Sequence, residues 1–149
     1  MAANTAPIYT RTSDLQAGGA IIGTSANTAT DGTGANTFLI YTADATEGSY
    51  VQSVRLFPVS TIAATVARLW ICEDTGAFTA GTTNTAVNTT RIGEISVAAW
   101  TVSNTTAAPV YEIPVNMAMP AGTKLLMTFG TSTGAATTGF NPLIIAGKY

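Results

Sequence analysis

Histidine is absent from this 149-residue sequence, and cysteine occurs once, at Cys72. Imidazole bases, His-based metal centres, Ser-His and Cys-His nucleophile pairs and internal disulfides are thereby excluded. Charge is scarce too: 9% of residues are charged, against about 25% in ordinary soluble domains. The six basic residues are scattered and the net charge is −2, so no cationic stripe can neutralise phosphates and nucleic-acid binding is not expected. Long hydrophobic runs are also missing. Mean hydropathy is +0.30, yet apolar stretches such as 143–146 fall far short of the ~18 residues of a spanning helix, and no membrane association is expected. The opening MAANTAPIYTR has neither a basic n-region nor an apolar h-region, so it does not read as a secretory leader and a cytosolic origin is expected. The Asn-x-Thr triplets at Asn88 and Asn104 then read as chance products of a Thr-rich chain.

Threonine, serine, asparagine and glycine stand where charge would be, while the hydrophobic share of 46% is ordinary. The length suits one domain with a single core. Apolar residues recur with period two in short segments bounded by Gly, Asn, Asp and Thr, which predicts strands over 8–12, 20–24, 37–42, 50–59, 65–73, 92–98, 110–115, 124–129 and 142–147. Nine short strands predict an all-β, jelly-roll-like antiparallel β-sandwich. Residues 63–70 are the best helical competitor, but Leu69, Ile71 and Glu73 alternate with Arg68, Trp70 and Cys72 in strand fashion.

Alternation also assigns faces. Tyr111, Ile113 and Val115 share one side and Glu112 and Pro114 the other, with Pro114 marking an edge or bulge. Leu125, Met127 and Phe129 point inward, which leaves Leu126 outside beside Lys124 and Thr128. Trp70 and Cys72 likewise lie opposite Leu69 and Ile71. That second apolar face needs a cover, either a loop of the same chain or a neighbouring subunit.

Three long polar connections join the strands. Residues 25–36 read as an exposed turn or flexible excursion. Residues 74–91 form the longest connection, with Phe78 and Val87 available to pin it, and residues 130–139 precede the closing strand. Gly18 and Gly19 predict a hinge. The expected division is residues 1–35 as an N-terminal arm with the first strands, docking or swapped, and residues 36–149 as the β-sandwich body.

Little points to catalysis. Asp74-Thr75-Gly76 matches the catalytic turn of aspartic proteases, but Glu73 places another charge beside the carboxylate pair, and Asp-Thr-Gly is also good turn chemistry. Asp31, Asp44 with Glu47, and Glu73 with Asp74 are oxygen donors for calcium, yet none has EF-hand spacing and each reads equally as a turn. Nothing marks a glycosidase pair among the eight acids, and the Gly-rich segments lack the Lys-Ser/Thr ending of a phosphate loop. No catalytic residue, metal or cofactor is expected. The aromatic residues Trp70, Trp100, Tyr50, Tyr111, Phe140 and Tyr149 read as core or interface, with sugar-stacking platforms as the alternative. The candidate interface residues are Leu126, Trp70, Cys72, Phe78, Trp100, Phe140 and Tyr149.

Over residues 36–149 the segments SYVQSVRLFPVST, ATVARLWICEDTG, PVYEIPVNMAMPAGTKLLMTFGTST and FNPLIIAGKY resemble the small jelly-roll virion structural proteins of tailed bacteriophages, of the capsid decoration, head-fibre and tail-accessory type. The turn at Pro120 and Gly122 that launches a core strand is the most telling part. The resemblance implies a jelly roll, commonly a homotrimer, that binds the major capsid protein or other virion proteins without enzymatic activity. Such a protein is assembled in the host cytoplasm and resides in the virion. The expected function is a capsid decoration protein on the assembled shell. The alternative is a receptor- or glycan-binding tip domain of a head fibre or tail structure.

Overall fold

The computed structural model describes residues 10–17, 20–134 and 137–149. They form β1 (Thr12–Ser13), β2 (Gln16–Ala17), β3 (Phe38–Thr42), β4 (Ser49–Pro58), β5 (Thr65–Cys72), β6 (Thr89–Val97), β7 (Tyr111–Met119), β8 (Lys124–Phe129) and β9 (Phe140–Lys148). No helix forms among them. The helical competitor at 63–70 becomes β5, whose residues pair on both sides with β6 and β8. The strand expected over 20–24 is reduced to one bridge between Ile22 and Phe140. The strand expected over 8–12 falls mostly outside the described residues, as does the Gly18-Gly19 hinge.

Two antiparallel sheets result. In one, β1 and β2 both pair with β9, which pairs with β4, which pairs with β7; the other has the order β3-β8-β5-β6. Counting β1 and β2 as one interrupted strand, the chain changes sheet at every connection except β5 to β6. That is the jelly-roll-like order of a double Greek key, and the chain is an all-β sandwich of this kind.

The period-two pattern builds the core between the sheets. Val51, Val54 and Leu56 of β4 and Ile144 of β9 face Ala67 and Leu69 of β5 and Leu125, Met127 and Phe129 of β8, all of them buried. Burying one such side chain contributes about 1.5–3 kcal/mol. Phe129 and Phe140 stack across the sheets with centroids 5.4 Å apart. Pro114 is exposed on β7, an edge strand, where its missing N–H costs no ladder bond. A register shift between Val51 and Ser53 runs against both neighbours of β4, and opposite it Asn116 takes a φ of 48°. The bulge breaks the alternation at Ser53 and Val54, adjacent residues that are both buried, and so lets Val51 and Val54 both reach the core.

Candidate functional site

The apolar outer face of the β3-β8-β5-β6 sheet is covered by the chain itself. Trp70, Cys72 and Leu126 form a buried cluster with Phe78 packed on it. Trp70 Nε1 donates to Thr128 Oγ1 at 2.9 Å, and the Arg91 guanidinium lies 5.9 Å from the Trp70 ring centroid. Two loops fold over this cluster from opposite ends. Gly32, in the connection from β2 to β3, sits so close that a Cβ there would lie 3.1 Å from Trp70 Cε3 and 2.5 Å from Thr89 Cγ2. Phe78 and Asn84 come from the connection between β5 and β6.

Buried Asn84 ties the two loops together. Its Nδ2 donates to Gly32 O at 2.7 Å, Thr37 Oγ1 at 3.1 Å and Gly34 O at 3.2 Å, and its Oδ1 accepts from Gly81 N at 2.7 Å. Asn27, also buried, donates to Thr33 O and Thr37 Oγ1. Asn88 accepts from Thr85 N and Thr89 Oγ1 and donates to Thr83 O.

These contacts correct several expectations. Leu126, Trp70 and Cys72 are buried within one chain, because a loop covers them and no neighbouring copy is needed. Residues 25–36 pack over the cluster through buried Asn27 and Gly32, while Thr28, Thr30, Asp31, Ala35 and Asn36 face solvent, so the segment is a packed loop with an exposed outer side. Phe78 does pin the longer loop, but Val87 is 97% exposed and pins nothing. Phe140 belongs to the core between the sheets. Trp100 is half-buried in a two-way main-chain bridge with Ile62, and Tyr149 is half-buried with its main-chain oxygen accepting from Arg11 Nη2 at 3.0 Å.

Of the acids singled out by the sequence, Asp31, Asp44, Glu47 and Asp74 serve turns and ion pairs. Asp31 accepts from the hydroxyl and N–H of Thr33, which holds its carboxyl below the usual range. Asp44 is lowered by the N–H groups of Glu47 and Thr46 and by Lys148. Asp74 Oδ1 accepts from Gly76 N at 2.8 Å, the Asx turn that Asp-Thr-Gly favours. Its main-chain oxygen receives the ammonium of buried Lys124. Glu112 is lowered by the Ser53 hydroxyl and Arg55. Among the described residues no three of His, Cys, Asp and Glu gather to hold a metal ion.

Charge is partitioned along the sandwich. All six basic residues have acidic partners: Arg11 with Glu47, Arg55 with Glu112, Arg68 and Arg91 with Glu94, Lys124 with Asp74, and Lys148 with Asp44. Three of these pairs lie at the end formed by the β3–β4, β5–β6 and β7–β8 connections. The opposite end consists of residues 20–27, 59–64, 98–110, 130–134 and 137–139, and not one of these is charged. Main-chain bonds knit it together: Val59 N to Gly139 O, Ala63 N to Thr133 O and Thr133 N to Gly23 O. Side chains reinforce it through Thr65 Oγ1 to Thr131 O, Ser132 Oγ to Thr24 O and Val102 N to Thr61 Oγ1. No sequence motif marks this surface. The absence of charge from residues 20–27, 59–64, 98–110 and 130–139 was its only sign.

Among the described residues, no loop covers the outer face of the other sheet. Half-exposed Tyr50, Phe57, Leu143 and Ile145 lie on it, and a cleft of about 420 Å³ opens among Thr10, Ser13, Tyr50, Gln52, Ile145 and Gly147. Its lining carries no charge.

No family model, curated protein or solved structure matches the chain.

Proposed function

We propose that this chain is a structural virion protein of a tailed bacteriophage, a capsid decoration protein that binds the assembled shell as a homotrimer and catalyses nothing. The jelly-roll-like strand order is the observation that carries the reading, because it is the architecture implied by the resemblance over residues 36–149. One fold serves many functions, and the surface chemistry narrows the choice. Every cation is consumed in an ion pair, and Asp31, Asp44 and Asp74 are held in turns, leaving contact surfaces made largely of Thr, Ser, Ala and Val. The test is mass spectrometry of purified particles of the encoding phage, with gold-labelled antibody against the chain. Label spread evenly over the head supports decoration. Absence from the particle overturns the virion reading, and label confined to the tail overturns decoration.

The uncharged cleft beside Tyr50 favours a second reading, a receptor- or glycan-binding tip domain, since an aromatic face with hydroxyl and amide neighbours suits a neutral sugar. Binding on a glycan array that Tyr50→Ala abolishes would select it. No signal on the array would remove it.

A further inference from the structure

Loops at the end of a sandwich are solvent-facing connections, where charged side chains ordinarily accumulate. Here the residues of one end include none, and the one cation that reaches it, Arg68 donating to Asn27 O at 3.4 Å, is paired with Glu94, although the other end carries Asp44, Glu47, Glu73 and Asp74. The neutral end is not simply hydrophilic. Val102 is 57% exposed and Val110 54%, both in the β6–β7 connection, and Ala98, Ala99, Ala107 and Ala108 are exposed beside them. Main-chain and hydroxyl bonds join its loops, with the β6–β7 connection tied at Trp100 and Val102. A surface of small apolar and hydroxyl groups can be taken out of water without desolvating an ion, the step that makes most protein surfaces costly to bury.

We infer that this neutral end is where copies of the chain join one another. This deepens the proposed function and rests on its reading of the chain as an oligomer. Charge selects a second copy as the occupant. The chain is net negative, and Asp14, Asp31 and Glu73, the acids outside the ion pairs, all lie away from this end. Contact between neutral ends therefore holds the uncompensated negative charges of two copies apart, whereas contact through the opposite ends brings Glu73 and its neighbours together. The same neutral surface on every copy meets no repulsion and suits closed symmetry.

Because the contact contains no ion pair, its strength is insensitive to salt. Light scattering and sedimentation of the full chain should give an oligomer with the same dissociation constant in dilute and in molar sodium chloride. Val102→Asp with Val110→Asp, both at exposed positions, should weaken association about a hundredfold or more. Thr105→Asp, also exposed at this end, should act in the same direction. Thr46→Asp at the opposite end should have no effect, and circular dichroism checks that all variants fold. A monomer at millimolar concentration, an oligomer that molar salt dissociates, or variants as tightly associated as the parent would each overturn the inference. Particle labelling separates this outcome from the proposed function. A monomeric chain that still decorates heads would sink the inference alone, and a neutral-end oligomer absent from particles would sink the virion reading alone.

Discussion

Asn84→Ala is expected to release the layer of loops that covers Trp70. The amide of Asn84 supplies two hydrogens to an acceptor set of Gly32 O, Gly34 O and Thr37 Oγ1, while its oxygen accepts from Gly81 N. Truncation removes about three hydrogen bonds at a net ~1 kcal/mol each. It also leaves Gly32 O and Gly81 N to find water, so the loss comes to about 2–4 kcal/mol. Urea titration followed by tryptophan emission measures it directly, and a loss of 3 kcal/mol corresponds to about 6–12 °C in Tm for a chain of this size. Cys72 supplies a local readout, because its thiol is fully buried beneath the same loops. At tenfold per 1.4 kcal/mol, native-state labelling of Cys72 should accelerate about a hundredfold. Val87→Ala, on the same loop but exposed, should stay within about 0.5 kcal/mol of the parent. A loss below 1 kcal/mol with unchanged Cys72 labelling would refute the assignment of Asn84 as the tie between the loops.

Gly32→Ala should cost about 2–4 kcal/mol in the same titration, since φ is +83° and the new methyl group meets Thr89 and Trp70. Tyr41 is buried, which raises its phenol above the ordinary 10.0. Its contribution is therefore complete below pH 10 and lost as pH rises through the raised folded value; Tyr41→Phe should flatten that alkaline decline and, at pH 7, cost the hydrogen bond to Asp14, about 1.5–3 kcal/mol. The lowered carboxyls of Asp31, Asp44 and Glu112 act in the opposite sense. Their contribution is present above the ordinary values of 3.8 and 4.5 and lost as pH falls through the lower folded ones. Asp44→Asn keeps an acceptor for Thr46 and Glu47 and should make the acid limb of a stability–pH curve shallower.

The core was legible in the sequence because inward and outward rows alternate without interruption where both neighbours are regular. Leu125, Met127 and Phe129 face inward, with Leu126 opposite, as period two requires. Strand ends were less legible. The strand expected to end at residue 115 continues to Met119, and the alternation runs on unbroken through Asn116, with Met117 and Met119 on the same inward row as Ile113 and Val115. The strand expected to start at residue 92 begins at Thr89, because Thr89, buried against Gly32 of the covering loop, and exposed Thr90 and Arg91 carry no apolar signal. The loop layer had no periodic signature at all. It depends on Asn27, Asn84 and Thr37, side chains that bond to main-chain groups up to 52 residues away. Its trace was indirect: an apolar outer row at Trp70, Cys72 and Leu126 that needed a cover.

That row changes where association has to be sought. Read from the sequence, a strand with two apolar faces needs a cover, either a loop of the same chain or a neighbouring subunit, and a chain poor in charge adds weight to the subunit. The chain instead uses its abundant Asn and Thr to fold its own loops over that sheet, converting an apparent interface into a third layer of core. Low charge content then needs a different explanation, and the partition of charge supplies it. Ions are retained where they can pair, along the sheets and at one end, and are absent from the residues of the end where four connections are bonded together. Substituting buried Trp70 thus tests the fold, while substituting exposed Val102 tests assembly. A variant at Trp70 that dissociated an oligomer without lowering stability would contradict this division.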